Sequence, residues 1–291
     1  RAAARHRPGL CDRAERRLLA VLLFANLRRH LGLDRSRHRL CAGASISPEM
    51  LRFFDIAGLP VAQGYGLTES GGVSFIQTDT HRRIGGCGLP LSGIEWRLAD
   101  DGEIMLRGRG IFRGYFADEK ATAATMGPDG WLATADIIDV LDNGEITVVD
   151  RKKAIIITSG GKNIAPSEME NALKDSPYIK EAIVVGEARK FLGGLIQIDY
   201  DEVGRWARDR SLSYTNYKSL SQLPEVYELI DGIVRETNQR FARVENVRKF
   251  VILEKELDHD DGELTATQKV RRGAINKMFA RELELIYGKE G

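Results

Sequence analysis

Two dipeptides, Asp101-Gly102 and Asn143-Gly144, do most to narrow what this chain can fold into. Asp-Gly and Asn-Gly supply the positive φ values of tight hairpin turns, whose twist matches that of paired strands. Stretches of alternating apolar and polar residues flank them: Ile94 to Leu98, Glu103 to Leu106 and Ile146 to Val149. Such alternation sets one face of a strand against a core and leaves the other in solvent. The segment from Ile84 to Arg151 is therefore expected to form a small antiparallel β unit.

The pattern differs on either side. Upstream, Asp12 and Glu15 fit a capping box for a helix running to His30, with Gly32 as its stop. A short strand is expected at Arg39 to Ala42, then a helix opened by Pro48 and ended near Gly58. Downstream, Ile155 to Thr158 reads as a strand, Ser167 and Glu170 fit caps for a helix towards Lys174, and strands follow at Glu181 to Val185 and Leu195 to Ile198. Asp201 to Pro224 is polar, lacks periodicity and reads as a surface excursion. Val226, Leu229, Ile230 and Ile233 mark one face of a long helix, Val247 to Leu253 a strand, and Ile275, Met278, Phe279 and Leu283 a last helix. Arg151 to Lys153 falls between the β-rich stretch and a small α+β domain.

A length of 291 residues allows one large domain or two ordinary ones, and 43% hydrophobic with 29% charged residues fits a soluble globular protein. The net charge of +1 creates no overall field that argues for nucleic acid. Residues 1 to 40 do hold eleven Arg against Asp12, Glu15 and Asp34, which reads as a solvated helix face rather than a nucleic-acid or lipid arm. Cys11, Cys41 and Cys87 are too few and too scattered for a disulfide framework or a zinc site, so a reducing, cytoplasmic setting is expected. The apolar run from Leu18 to Ala25 is far shorter than the roughly 20 residues of a membrane span, and peripheral membrane contact is left open. No signal peptide is visible, and the first residue is Arg rather than Met, so the chain is expected to begin within a longer protein.

Three glycine-rich stretches invite nucleotide readings and fail on spacing. Gly64 and Gly66 begin a G-x-G-x-x-G pattern whose third glycine is replaced by Glu69; Gly86 and Gly88 fail the same way at Leu91. Gly161-Lys162 lacks the P-loop glycine, because Ile156 stands there, and Asn163 replaces the following Ser or Thr. Other groups stand out chemically. Thr68 and Glu69, in Tyr65-Gly66-Leu67-Thr68-Glu69-Ser70, set a hydroxyl that can donate to phosphate beside a carboxylate that can hold Mg²⁺, although such loops are mostly turns. Asp136 ends Trp131-Leu132-Ala133-Thr134-Ala135 with an acceptor suited to a ribose diol, or else caps a turn at a strand end. Asp150-Arg151-Lys152-Lys153 and the segment around Lys269 read singly as solvated charge.

Taken in order, these segments resemble the adenylate-forming superfamily of acyl-CoA synthetases, luciferases and peptide-synthetase adenylation domains. The resemblance runs from about Leu40 to the C-terminus through "AGASISPEM" (42–50), "QGYGLTES" (63–70), "GEIMLRGRGIFRGYF" (102–116), "GWLATAD" (130–136), "DRKKAIIITSGGKNIAPSEME" (150–170) and "GELTATQKVRR" (262–272). "TSGGKNIAP" and "NQRFARVENVRKFVIL" (238–253) resemble the long-chain fatty acyl-CoA synthetases in particular. The implied architecture is α/β and α+β, the C-terminal part of the adenylate-forming fold. Residues 1–151 would be the end of the large AMP-binding domain, β-rich from about 84, and 152–291 its small mobile lid domain.

The resemblance also implies a chemistry: ATP-dependent adenylation of a fatty acid, then thioester formation with CoA, with Mg²⁺ as the metal. Lys269, Thr68 and Glu69 take the catalytic positions, Glu69 as the Mg²⁺ ligand. Gly43, Ala44, Ser45, Tyr65, Gly66, Thr68, Asp136 and Arg151 take nucleotide-binding positions, Asp136 at the ribose hydroxyls. Lys153 sits at the hinge, and Ser159, Gly160, Gly161 and Lys162 form the loop that lines the pantetheine tunnel. Ala135 departs from the family, which usually has Gly before the ribose acid. The family's Ser/Thr/Gly-rich phosphate loop ending in Pro-Lys-Gly is not in these 291 residues, so the chain by itself is expected to be inactive and to partner an N-terminal half of the same enzyme. A fatty acyl-AMP ligase, or a non-catalytic split or remnant nucleotide-binding piece, stands as the alternative.

Overall fold

The computed structural model describes residues 24–44, 46–258, 262, 263, 270, 275 and 277–288. Helix α1 (Phe24–His30) ends in Arg28, Arg29 and His30, the two arginines being cations that suit the negative end of a helix, and Gly32 follows at φ 67°. Its proposed capping box at Asp12 and Glu15 lies outside the described residues. Strand β1 (Leu40–Cys41) leads to α2 (Pro48–Ile56), where Pro48 opens the helix and Ser47 Oγ accepts from Met50 N at 3.2 Å.

Strand β2 (Ala62–Leu67) runs parallel to β1, with Leu40 opposite Ala62 and Cys41 opposite Gln63. A 3₁₀ turn (Thr68–Ser70) then reverses the chain into β3 (Gly72–Ile76), antiparallel to β2, and β4 (Leu89–Pro90) completes this sheet. A second four-stranded sheet follows in chain order: β5 (Ile94–Leu98), β6 (Glu103–Gly108), β7 (Leu132–Val140) and β8 (Ile146–Arg151), with α3 (Glu119–Thr125) inserted before β7. Both expected turns close. Gly102 N donates to Ala99 O at 2.9 Å between β5 and β6, and Gly144 N to Leu141 O at 2.9 Å between β7 and β8. Tyr65, Phe75, Ile104, Leu106, Leu132, Ile138 and Ile146 form the buried core here.

The remainder opens with a hairpin of β9 (Ile156–Ile157) and β10 (Asn163–Ile164), then α4 (Pro166–Lys174). A three-stranded sheet, β11 (Ile179–Val185), β12 (Leu192–Ile198) and β13 (Val247–Ile252), carries α5 (Tyr200–Arg208), α6 (Tyr217–Ser221) and α7 (Pro224–Asn238) between β12 and β13, and α8 (Ala280–Tyr287) after them. The sheet is covered on both faces. Ala182, Val184, Ile196 and Ile198 pack with Met169, Leu173, Val203, Ala207, Leu220, Val226, Ile230 and Val234. Ile183, Val185 and Leu195, pointing the other way, pack with Ile275, Phe279 and Ile286. That alternation is the two-residue period of a strand, and double coverage explains why every residue of β12 is buried.

Two sequence expectations fail here. Ser167 and Glu170 do not cap α4: the N-cap is Ala165, which makes no side-chain bond, with Pro166 in the first turn. The Glu170 carboxylate instead accepts from Val184 N at 2.7 Å, and Ser167 N donates to Asp150 Oδ2 at 3.0 Å. Nor is Asp201 to Pro224 an excursion. Asp199 Oδ1 accepts from Glu202 N at 2.9 Å and starts α5, Asn216 caps α6, and Val203, Ala207 and Leu220 are fully buried.

The chain divides into two compact units, one holding the described residues of 1–134 and 138–148, the other those of 135–137 and 149–291. Among the described residues no helix is long and apolar enough to cross a membrane.

Candidate functional site

In the first unit the candidate residues gather at one edge of a sheet. Because β1 and β2 are parallel, the segments that leave their carboxyl ends emerge on the same side. That is where open α/β sheets place ligands. Gly43 and Ala44 leave β1 and are exposed; Thr68 and Glu69 leave β2. Ser45 lies outside the described residues.

The 3₁₀ turn that presents Thr68 and Glu69 is pinned from within. Leu67 N donates to Ser70 Oγ at 3.0 Å, Ser74 Oγ donates to Ser70 Oγ at 2.8 Å, and Gly71 N donates to Thr68 O at 3.1 Å. Gly66 is required by close approach, since a Cβ there would stand 1.8 Å from Gly72 O on the facing strand. Tyr65 is 7% exposed, its ring tilted against Phe75 at 6.1 Å. Thr68 is exposed and its hydroxyl makes no bond among the described residues. Glu69 is half-buried: Oε1 accepts from the Tyr115 hydroxyl at 2.7 Å, and Oε2 has no partner among the described residues. This donor set fits Mg²⁺, which takes one or two carboxylates and completes its shell with water and substrate phosphate. No cluster of three or more His, Cys, Asp or Glu that would cage a metal occurs among the described residues.

Tyr115 was not among the sequence candidates. Its contact with Glu69 spans 46 residues, so no local pattern announces it.

In the second unit, Asp136 and Arg151 meet. Arg151 Nε lies 3.2 Å from Asp136 Oδ1, the Asp136 side chain being 6% exposed and the Arg151 side chain 63%. Asp136 stands in the middle of β7, not at a strand end, so the turn-capping alternative does not apply. A carboxylate enclosed in a mostly apolar strand needs hydrogen bonds and a counter-charge, and Arg151 supplies the charge from solvent. Ala135, just before it, has φ 58°, in the left-handed region that glycine tolerates best.

Lys153 is exposed in the turn after β8. Ser159, Gly160, Gly161 and Lys162 form the exposed tip of the β9–β10 hairpin, closed by Thr158 N donating to Lys162 O at 3.0 Å and Gly161 N to Thr158 O at 2.9 Å. Gly161 takes φ 73° to make that turn, and no atom lies within 4 Å of where its Cβ would be. Lys269 lies outside the described residues.

Known proteins resemble this chain along most of its length. The AMP-binding enzyme family matches residues 11–116, and the AMP-binding enzyme C-terminal domain matches residues 153–291. A long-chain-fatty-acid–CoA ligase of Mycobacterium tuberculosis is 39% identical over 285 residues, 97% of this chain and 47% of that protein. A long-chain-fatty-acid–CoA ligase of Xenopus laevis is 30% identical over 293 residues, 93% of this chain and 40% of that protein. The chain thus spans about half the length, or less, of these curated relatives. Among solved structures, the adenylation domain of a carboxylate reductase from Mycobacterium chelonae superposes with a TM-score of 0.72 at 20% identity, over 98% of this chain and 43% of that one, and shares the fold. An o-succinylbenzoate CoA synthetase from Bacillus subtilis, in complex with its acyl-adenylate intermediate, superposes with a TM-score of 0.64 at 25% identity, over 87% of this chain and 49% of that one. With both family domains matched in order along one fold, the chain belongs to the AMP-binding enzymes.

Proposed function

We propose that this chain works as part of an ATP-dependent long-chain fatty acid–CoA ligase. A carboxylate oxygen of the fatty acid attacks the α-phosphorus of ATP; the bond to the α–β bridging oxygen breaks and pyrophosphate leaves. The CoA thiol passes its proton to water, its sulfur attacks the acyl carbon, and AMP leaves with the electrons of the acyl–oxygen bond.

Each step asks little covalent chemistry of the protein and much positioning and charge neutralisation. Thr68 donates its free hydroxyl to a phosphate oxygen. Glu69 is the residue that would hold Mg²⁺, which supplies charge neutralisation at the phosphates when bound. Asp136 accepts from the ribose hydroxyls, with Arg151 beside it, while Gly43, Ala44, Ser45, Tyr65 and Gly66 shape the nucleotide's surroundings. Lys269 bridges the α-phosphate and the substrate carboxylate. Lys153 is the hinge about which residues 152–291 turn as a lid. In the second half-reaction the Ser159–Lys162 tip lines the pantetheine arm, and its open glycines let backbone approach that arm closely. A lid of this kind excludes water from each chemistry in turn. A cytoplasmic setting suits the unpaired thiols of Cys41 and Cys87.

The observation that carries this reading is Asp136, a buried carboxylate kept in mid-strand beside a cation. The test is release of AMP by the full-length protein with ATP, Mg²⁺ and palmitate, with and without CoA. AMP release that requires both palmitate and CoA supports the ligase. Stalling at palmitoyl-adenylate despite CoA would point to an acyl-AMP ligase instead.

A further inference from the structure

The Tyr115 hydroxyl donates to Glu69 Oε1 at 2.7 Å, and the loop that carries Tyr115 is fixed without it. Phe112 N donates to the Glu69 carbonyl at 2.8 Å, a second tie between that loop and the Glu69 turn. The Tyr115 ring packs edge-on against Phe112 with centroids 4.9 Å apart. Tyr115 N donates to Thr122 Oγ1 at 2.9 Å, and Thr122 stands on α3, whose N-cap is Asp118. Ring and backbone are therefore held by contacts that leave the hydroxyl aside.

What the hydroxyl adds is direction. A half-buried glutamate has several rotamers, and its carboxylate plane turns easily. Binding one oxygen to a fixed phenol removes that freedom and leaves Oε2 with its lone pairs unengaged among the described residues. A neutral donor does this without adding a positive charge that would repel a cation.

We propose that Tyr115 is a positioning residue for the divalent cation: it holds Oε1 of Glu69 so that Oε2 is presented to Mg²⁺. The inference rests on the reading of Glu69 as the Mg²⁺ ligand. Ordering the carboxylate in advance removes part of the entropic cost of coordination.

The test is calorimetric titration of the full-length protein with ATP, in the absence of fatty acid, once with Mg²⁺ and once with EDTA. Wild type, Tyr115→Phe and Glu69→Gln are compared. Tyr115→Phe keeps the ring and its packing. It is expected to lower ATP affinity about three- to tenfold with Mg²⁺, the effect of one net hydrogen bond at a half-exposed site, and to leave affinity in EDTA unchanged. Glu69→Gln is expected to abolish most of the gain that Mg²⁺ brings. If Tyr115→Phe lowers affinity equally in both media, or in neither, while Glu69→Gln loses the Mg²⁺ gain, the positioning role is overturned and the metal reading stands. If Glu69→Gln keeps the wild-type gain, the metal reading falls, and the role of Tyr115 with it.

Discussion

Lys152 donates its backbone N–H to the carbonyl of Ala135 at 2.8 Å, and Ala135 holds φ 58° beneath that bond. A residue with a Cβ spends roughly 1–2 kcal/mol to stay in the left-handed region, whereas glycine enters it freely. The family resemblance puts glycine at this position, and the geometry gives the reason: the backbone needs a positive φ just before the buried acid. Ala135→Gly is therefore expected to stabilise the fold by about 1 kcal/mol, after allowance for the greater chain entropy of glycine. Urea unfolding midpoints of the two proteins check this. A midpoint that stays the same or falls would show that no strain is stored at Ala135.

Asp136 and Arg151 are expected to separate in their effects on nucleotide binding. Asp136→Ala removes an acceptor that is charged and enclosed, and should weaken AMP binding by about 1.5–3 kcal/mol, as for hydrogen bonds to charged groups. Arg151→Ala should cost less, because its side chain is 63% exposed and its charge is screened by solvent. Titration of the full-length variants with AMP gives both values. Equal affinity for Asp136→Ala and wild type would remove Asp136 from the ribose site.

The last helix is expected to confer an alkaline limit on stability. The Tyr287 hydroxyl donates to Val185 O at 2.8 Å and accepts from Gly193 N at 3.1 Å, tying α8 to the sheet. Burial pushes its phenol up to about 12, against the Gly193 N–H and the Arg189 charge, which pull it down. The folded state thus keeps the proton that the unfolded chain releases near pH 10. Its contribution is complete below pH 10 and is lost as the pH rises towards about 12. Tyr287→Phe should cost about 1–3 kcal/mol at neutral pH and flatten the fall in stability above pH 10. Denaturation midpoints between pH 8 and 11.5 test this; a wild-type slope in the variant would mean that other groups set the limit.

The parts of the fold that were legible in the sequence are those set by neighbouring residues. Asp101-Gly102 and Asn143-Gly144 close hairpins because their turn chemistry is local, and Pro48 opens α2 for the same reason. The parts that were not legible depend on distant partners. Glu170 looked like a capping residue, but the buried N–H of Val184, brought close only by packing, captures its carboxylate. Helix α5 hid because its buried positions, Val203, Gly204 and Ala207, offer little apolar side chain to mark a helical period among Asp201, Glu202, Arg205 and Arg208. At the site, Thr68, Glu69 and Asp136 could be singled out by chemistry, since a hydroxyl beside a carboxylate and a lone acid after an apolar run are visible in one dimension. That Asp136 is enclosed and meets Arg151, and that Glu69 meets Tyr115, follows only from the folded chain.

Fatty-acid activation through an acyl-adenylate is read out by palmitate-dependent exchange of labelled pyrophosphate into ATP. The full-length protein should catalyse this exchange, Lys269→Ala should lose it by about 10²-fold or more, as when a group that stabilises developing charge is removed, and the same variant should still convert preformed palmitoyl-adenylate and CoA to palmitoyl-CoA. The 291-residue chain alone should show no exchange. Absence of palmitate-dependent exchange in the full-length protein would mean that it does not activate fatty acids through an adenylate, and equal loss of both half-reactions in Lys269→Ala would rule out the role given to that lysine.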